Sequence, residues 1–306
     1  MPEKNKKRLQ LKADLALLGV SFIWGATFVV VKNALSSIGP FYFLGIRFML
    51  AFLFLLAIYW RSLPKISWSL LLAGCLIGIF LFGGYAFQTV GLQYTTASNA
   101  GFITGLSVVL VPAFHASLNR KAPGLSATAG IILSVLGLGL LSLEESWHLN
   151  PGDALVLLCA FCFALHIITV GHFAPSFHPP TLAIIQIGTV SLVSFLLGAA
   201  TETWPRHFTP SVWLALLLTA IPATALAFLI QNNVQRHTSA THTAIIFTTE
   251  PVFAAISAYL WAGEVLSLRQ VFGCALILAG MLVAELGSED RGCECGRRYN
   301  GRGTAY

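Results

Sequence analysis

Apolar runs, each long enough to cross a bilayer, follow one another from residue 14 to residue 286. A hydrocarbon slab is crossed by about 20 helical residues. Ten such runs are read at roughly 14 to 32, 41 to 60, 67 to 88, 97 to 118, 125 to 143, 153 to 171, 180 to 200, 211 to 231, 239 to 261 and 267 to 286. The connections are too short to hold a soluble domain. Each run is continuously apolar, without the alternation over about ten residues that marks a barrel strand, so each is expected to satisfy its backbone as a helix. Composition agrees: 10% of residues are charged, against about a quarter in a water-soluble domain. The expected fold class is an all-α polytopic membrane protein.

Charge orients the spans. Lys4, Lys6, Lys7, Arg8 and Lys12 form a basic arm at residues 1–13, and Arg61, Lys65, Arg120, Lys121, Arg236 and the arginines of the tail are expected on the same side. Glu144, Glu145 and Glu202 fall on the other side, with Lys32, Arg206 and Arg269 as exceptions. The positive-inside rule then places both termini in the cytoplasm of a multi-pass plasma-membrane protein. The net charge of +6 is accounted for by topology, so no nucleic-acid partner is expected. Trp60 and Trp68 mark the inner boundary and Trp147, Trp204, Trp213 and Trp261 the outer one, while Trp24 lies deep. The run from Leu15 to Val31 is too long for the apolar region of a cleaved signal and is expected to remain as the first span. Residues 288–306 are polar and glycine-rich, which predicts a disordered cytoplasmic tail.

The chain also repeats itself. Gln88 followed by Tyr94-Thr95-Thr96-Ala97-Ser98-Asn99 returns, 143 residues on, as Gln231 followed by His237-Thr238-Ser239-Ala240-Thr241-His242, and Gly130 and Gly137 return as Gly273 and Gly280. Asp14 and Asp153, 139 residues apart, open the first and sixth runs. Two units are expected, at 14–146 and 147–287, with five spans each. An odd number of crossings starts the second unit on the opposite face, so ten helices in two inverted five-helix repeats are expected.

Polar residues inside apolar spans identify the candidate site, because lipid tolerates them only where they are paired, wetted or functional. Glu250, in the ninth run, is a candidate for proton coupling or for contact with a substrate amine, with backbone bonding beside Pro251 as the alternative. Trp24 with Thr27, and Phe163 with His166, are i, i+3 pairs at repeat-equivalent positions, and both faces are expected to line a cavity. Arg47 lies about 10 Å of helix rise from Pro40. It is a candidate for a substrate carboxylate or for helix-end carbonyls, and its repeat mate is Gln186. Gln88 and Gln231, with Tyr85 one turn before Gln88, are candidate gate or site residues. Asn99 and His242 would bond either a polar substrate or a neighbouring helix. Pro112 and Pro251 are candidate gating kinks. Ala97, Gly101 and Gly105 form a stripe for close helix packing, and Lys32 is expected to snorkel to the outer interface.

Other chemistries fit poorly. Cys159 and Cys162 lie inside an apolar run without a second pair, Cys293 and Cys295 lie on the tail, and His166, His172 and His178 are six apart rather than four. No metal or other cofactor is expected. A membrane enzyme acting on lipid through His166, His242 and Glu250, and a passive channel-like protein, are the alternatives to transport.

Trp24-Gly25-Ala26-Thr27-Phe28 with Lys32, then Arg47, Thr95-Thr96-Ala97-Ser98, Pro112, Glu250-Pro251-Val252-Phe253, Gly263-Glu264 and Gly273 resemble the EamA family of the drug/metabolite transporter superfamily. The resemblance covers both halves. It implies ten helices around a central cavity that exports or exchanges small metabolites, often amino acids. On that basis the chain is expected to be a secondary transporter of an amino acid-like or amphipathic solute, working by alternating access, with protons as a candidate coupling ion. Two departures from symmetry stand out: Val111 precedes Pro112 where Glu250 precedes Pro251, and Lys121 stands where the second half has Glu264.

Overall fold

The computed structural model describes residues 3–64, 66–118, 124–142, 150–205, 207–236 and 240–283. These residues are helical and contain no strand. In order they form α1 (Glu3–Ala34), α2 (Pro40–Tyr59), α3 (Trp68–Gly91), α4 (Ala97–Gly105), α5 (Ser107–Leu118), α6 (Leu125–Ser142), α7 (Pro151–Phe173), α8 (Pro179–Thr201) and α9 (Pro210–Ala220). A π-helical stretch (Ile221–Leu226) leads into α10 (Ala227–Gln235), followed by α11 (Ala240–Phe247), α12 (Glu250–Ser257), a second π-helical stretch (Ala258–Ala262) and α13 (Leu268–Val283). Proline opens α2, α7, α8 and α9, where its missing N–H costs no hydrogen bond. The hydroxyl of Ser67 accepts from the Leu70 amide, that of Thr96 from the Asn99 amide and that of Thr209 from the Val212 amide, capping α3, α4 and α9.

Seven helical stretches are long and apolar enough to cross a membrane: Leu11–Ala34, Pro40–Tyr59, Trp68–Gly91, Ala97–Phe114, Pro151–Phe173, Pro179–Thr201 and Pro210–Gln235. Thr128–Leu141 and Leu268–Val283 are shorter apolar helices. The bundle exposes many large apolar side chains and buries a set of polar ones within its apolar core. Phe22, Leu53, Ile79, Leu136, Leu196 and Leu217 are exposed, while Arg47, Gln88, His166, Gln186, Gln231 and Asn232 are buried. This distribution suits a lipid solvent, in which polar side chains turn to the protein interior.

Glycine sets the closest helix contacts. A Cβ added at Gly137 would lie 2.6 Å from the Gly273 carbonyl oxygen, and one added at Gly280 would lie 2.6 Å from that of Gly130. The four glycines that mark the repeat therefore meet crosswise between α6 and α13. Gly25 brings α1 onto α12, where an added Cβ would lie 2.8 Å from the Ala254 amide nitrogen. Gly105 lies against Pro251 and Met281, so the small-residue stripe of α4 is a packing surface, as its spacing predicts.

Two spans are broken, and at matching places. α4 gives way to α5 at Leu106, and α11 to α12 at Thr248 and Thr249. The Leu106 amide donates to Ile103 at 3.1 Å and the Thr249 amide to Ile246 at 3.2 Å, tightening each helix end to an i−3 turn. Each member of one pair stands 143 residues from its counterpart in the other.

This register corrects three expectations. α5 runs through Pro112 without a break, and the break in this span lies six residues earlier, at Leu106. Pro251 does sit at a break, in the first turn of α12, where a proline needs no donor. The mate of Glu250 is Ser107, each opening its half-helix, rather than the Val111 suggested by aligning prolines. α1 begins at Glu3, so helix extends into the basic arm. α3 continues past Gln88 to Gly91 and α10 past Gln231 to Gln235, so the spans expected to end at these glutamines run on by three and four residues. His237, Thr238, Ser239, Lys65, Lys121, Glu144, Trp147, Arg206 and the 288–306 tail lie outside the described residues.

Candidate functional site

Both helix breaks open onto one central cavity. Trp24, Thr27, Phe28 and Val31 reach it from α1, Arg47 from α2, and Tyr85 and Gln88 from α3. Thr104, Gly105, Ser107 and Val108 flank the first break, and Phe247 and Glu250 flank the second. Phe163, His166 and Ile167 of α7, with Phe228 and Gln231 of α10, complete the polar and aromatic wall. The faces expected from the i, i+3 pairs thus meet in one place.

Arg47 is the most constrained polar group. It is 2% exposed. Its Nε donates to Thr224 Oγ1 at 2.8 Å and its second terminal nitrogen to the Tyr85 hydroxyl at 3.3 Å. The guanidinium carbon also lies 4.7 Å from the Tyr85 ring centre and 5.4 Å from that of Phe48, within range of a cation–π attraction. Thr224 belongs to the π-helical stretch at Pro222, and its hydroxyl donates to the Thr219 carbonyl at 2.8 Å. In the same stretch the Ala223 carbonyl accepts from Trp24 Nε1 at 2.8 Å. The π-helical segment thus holds two cavity side chains, Trp24 and Arg47.

The remaining cavity groups form short links. His166 Nε2 and Gln186 Oε1 are 3.0 Å apart. Gln88 Nε2 donates to Thr104 Oγ1 at 3.1 Å, and Gln231 Nε2 to Gln235 Oε1 at 2.9 Å, leaving Gln231 Oε1 without a partner among the described residues. Phe228, the repeat mate of Tyr85, lies 5.7 Å from the His166 ring and 5.5 Å from Trp24. Among the described residues no hydrogen bond reaches the Glu250 carboxylate, and it lies outside ion-pair distance of Arg47.

Asn99 and His242 are elsewhere. Asn99 Nδ2 donates to Asp153 Oδ2 at 3.3 Å, and the Thr95 hydroxyl donates to the other oxygen of that buried carboxylate. His242 Nε2 is 2.8 Å from Asp14 Oδ1. Both are links between helices, the second of the two roles open to them in the sequence. Nearby, the Glu264 carboxylate accepts from the Ala97 and Ser98 amides at 2.9 and 3.0 Å and from the Ser98 hydroxyl at 2.8 Å. Lys32 Nζ donates to the Thr95 carbonyl at 2.7 Å and is 3.8 Å from Glu264. Lys32 is thus tied to the segments before α4 and after α12. Cys159 is buried with Sγ 3.8 Å from Thr104 Oγ1, and Cys162 is a free thiol beside Gly83.

Sequence reasoning missed Thr104, Ser107 and Thr224. Ser107 was accessible as the mate of Glu250 at the 143-residue spacing, but Thr224 gains its role from a π-helical distortion that carries little sequence signal beyond Pro222.

The EamA-like transporter family matches the chain twice, over residues 11–143 and 150–285. An uncharacterized transporter of Archaeoglobus fulgidus is 38% identical over 277 residues, covering 90% of this chain and 87% of that protein. A protein of Salmonella typhimurium named a probable amino-acid metabolite efflux pump is 29% identical over 290 residues, covering 89% and 94%. A crystal structure with 20% identity superposes with a TM-score of 0.68 over 91% of this chain and 98% of its own, a likeness of fold.

Proposed function

Since the chain belongs to the EamA-like transporter family, we propose that it is a secondary transporter that moves a small organic solute out of the cell by alternating access around the central cavity. The carrying observation is that two spans break at repeat-equivalent positions and both breaks line that cavity. Discontinuous helices at a repeat interface are where transporters commonly hold their cargo. The aromatic wall with few polar groups suits an amino acid-like or amphipathic solute. Family and relatives point to transport rather than catalysis.

In this reading the units 14–146 and 147–287 are inverted five-helix repeats, ten crossings in all, with both termini in the cytoplasm and the protein in the plasma membrane. The crosswise glycine contacts support inversion. In a two-fold interface residue i meets j and j meets i, and Gly130 meets Gly280 while Gly137 meets Gly273. Trp24, Thr27, Arg47, Tyr85, Gln88, Phe163, His166, Gln231 and Glu250 form the substrate and coupling site. Glu250 carries the coupling proton. The breaks at Leu106 and beside Pro251 act as hinges.

The test is flux in proteoliposomes holding purified protein, with amino acids, purines and small cationic drugs offered separately. Saturable flux that an unlabelled solute competes away is expected for one class. No saturable flux for any class would overturn the transporter reading, and flux that never saturates would make the protein a passive pore.

A further inference from the structure

The two halves of the chain do not share the central cavity equally. Every second-half residue on its wall has a first-half mate on the wall too, as Phe163 has Trp24 and His166 has Thr27 at the 139-residue spacing, and Phe228 has Tyr85 at 143. The reverse fails at Val31, Arg47, Leu92, Gly105 and Val108, whose mates Val170, Gln186, Gln235, Thr248 and Pro251 are buried outside the cavity. Val31 stands in the last turn of α1 and Leu92 just beyond α3, so the cavity reaches toward that end of the bundle. Their mates Val170 and Gln235 stand in the last turns of α7 and α10, which the inverted reading puts at the opposite end. That end is packed shut. Val170 joins an apolar cluster with Leu70, Ala73 and Ile77 of α3 and Leu182 and Ile185 of α8, and Gln235 Nε2 donates to the Ile167 carbonyl at 3.4 Å. Gln186 follows Ile185 beneath α3, where a Cβ added at Gly78 would lie 2.9 Å from the Gln186 carbonyl oxygen. Its side chain is fully buried, with Oε1 3.0 Å from His166 Nε2 and with Nε2 lacking a partner among the described residues. A buried amide donor left unpaired is costly, and the cost is relieved wherever a wetted cavity reaches it.

We propose that Gln186 and Gln235 are solute-contacting residues of a second state, in which they and Val170 join the cavity wall while Val31 and Leu92 pack as their mates do here. This rests on the transporter reading above and on the inverted repeat. Halves related in that way can exchange conformations, which moves the opening from one face to the other around a fixed site. Residues that both halves already contribute, such as Trp24, Thr27, Phe163 and His166, stay on the wall throughout. The exchange is not chemically neutral. Val31 and Leu92 are apolar, whereas Gln186 and Gln235 bring two carboxamides, each a donor and an acceptor. The wall is therefore more polar toward the second face, and hydrogen-bonding groups of the solute are read there by side chains that this state keeps out of reach.

The experiment labels single substitutions of the full chain with a membrane-impermeant maleimide, supplied to right-side-out or to inside-out membrane vesicles and read at the substituted position by peptide mass spectrometry. Val31→Cys marks the face toward which the cavity now reaches. Gln186→Cys is expected to react from the opposite face, and Gln235→Cys repeats the test should the first variant fail to fold. The control is Ala183→Cys, as buried as Gln186 and with a mate, Leu44, that also lies outside the cavity. Positions 186 and 235 should react at least about tenfold faster than position 183, because only they reach the wall in a populated second state. Val31→Trp added to Gln186→Cys should slow that reaction by about fivefold or more, since the larger ring cannot pack where the second state needs it. Reaction no faster than at position 183, reaction from the same face as Val31→Cys, or indifference to Val31→Trp overturns the proposal. Saturable flux with positions 186 and 235 silent from both faces overturns it alone and leaves the transporter reading standing. Opposed-face labelling without saturable flux for any solute overturns the transporter reading and the solute contact with it.

Discussion

Asp14 and His242 face each other 2.8 Å apart between α1 and α11, and their repeat mates Asp153 and Asn99 face each other between α7 and α4. One contact is an ion-pair-capable couple and the other a neutral hydrogen bond to a carboxylate. Both sites join one half of the chain to the other, and on the inverted reading they lie at opposite ends of the cavity. They are therefore equivalent latches of unlike chemistry. His242→Asn should make the two alike. It is expected to retain solute exchange within about twofold, because a partly exposed ion pair contributes only about 0–1 kcal/mol. Asp153→Ala, which strips Thr95 and Asn99 of a buried acceptor, should cut exchange by about tenfold or more. Flux in proteoliposomes distinguishes them, and equal losses in the two variants would remove the latch assignment.

Glu250→Gln should abolish accumulation of solute against its gradient driven by a pH difference. Exchange of labelled for unlabelled solute should persist at saturating concentration. The carboxamide keeps the shape of the protonated acid but cannot release a proton, so the cavity can still reorient when loaded. Full pH-driven accumulation by this variant would assign the coupling proton to another group.

How far the sequence carries is clear from particular residues. Trp24, Thr27, Phe163 and His166 reach one cavity because helical spacing is a local rule, and Gln88 and Gln231 follow them because the repeat copies position as well as residue type. Asn99 and His242 obey the same repeat yet lie outside the cavity, since equivalence fixes where a residue sits in its half and not which helix of the other half it meets. Pro112 misled for a different reason. Proline is tolerated inside a membrane helix, and the break lies instead at Leu106, after Gly105 ends α4. The role of Thr224 depends on the π-helical turn and on the approach of Arg47 from α2, both products of tertiary packing.

Thr224→Val keeps the volume at that position but removes the acceptor that holds Arg47 Nε at 2.8 Å. Thr224 does not line the cavity, so it acts by positioning the guanidinium. The expected result is a KM raised about fivefold to tenfold with kcat nearly unchanged, the cost of one charge-assisted hydrogen bond. Serine at the same position should restore the wild-type KM. A fall in kcat with KM unchanged would show that Thr224 serves movement of the π-helical segment instead.

Glu202 and Glu264 perform one task at two helix starts. The Glu202 carboxylate accepts from the Phe41 and Tyr42 amides at 2.8 and 3.0 Å at the head of α2, as Glu264 does from Ala97 and Ser98 at the head of α4. Each places a negative charge on the positive end of a helix and satisfies two amides that have no partner within the helix. Both carboxylates sit on the connection after a later span, so each ties one half of the chain to the other at the same end of the bundle. Glutamine at either position preserves one acceptor oxygen and removes the charge, with an expected loss of about 1–2 kcal/mol. Thermal unfolding in detergent should show a lower Tm for both variants. Glu264→Gln should also lose the attraction to Lys32, 3.8 Å away, so its Tm should depend less on salt than that of the wild type. If these clamps hold one end of the cavity shut, then Glu202→Gln and Glu264→Gln together should increase labelling of a cysteine placed at Thr27 by a thiol reagent supplied from the side where those clamps lie. Labelling equal to that of the parent cysteine variant would confine both carboxylates to helix capping.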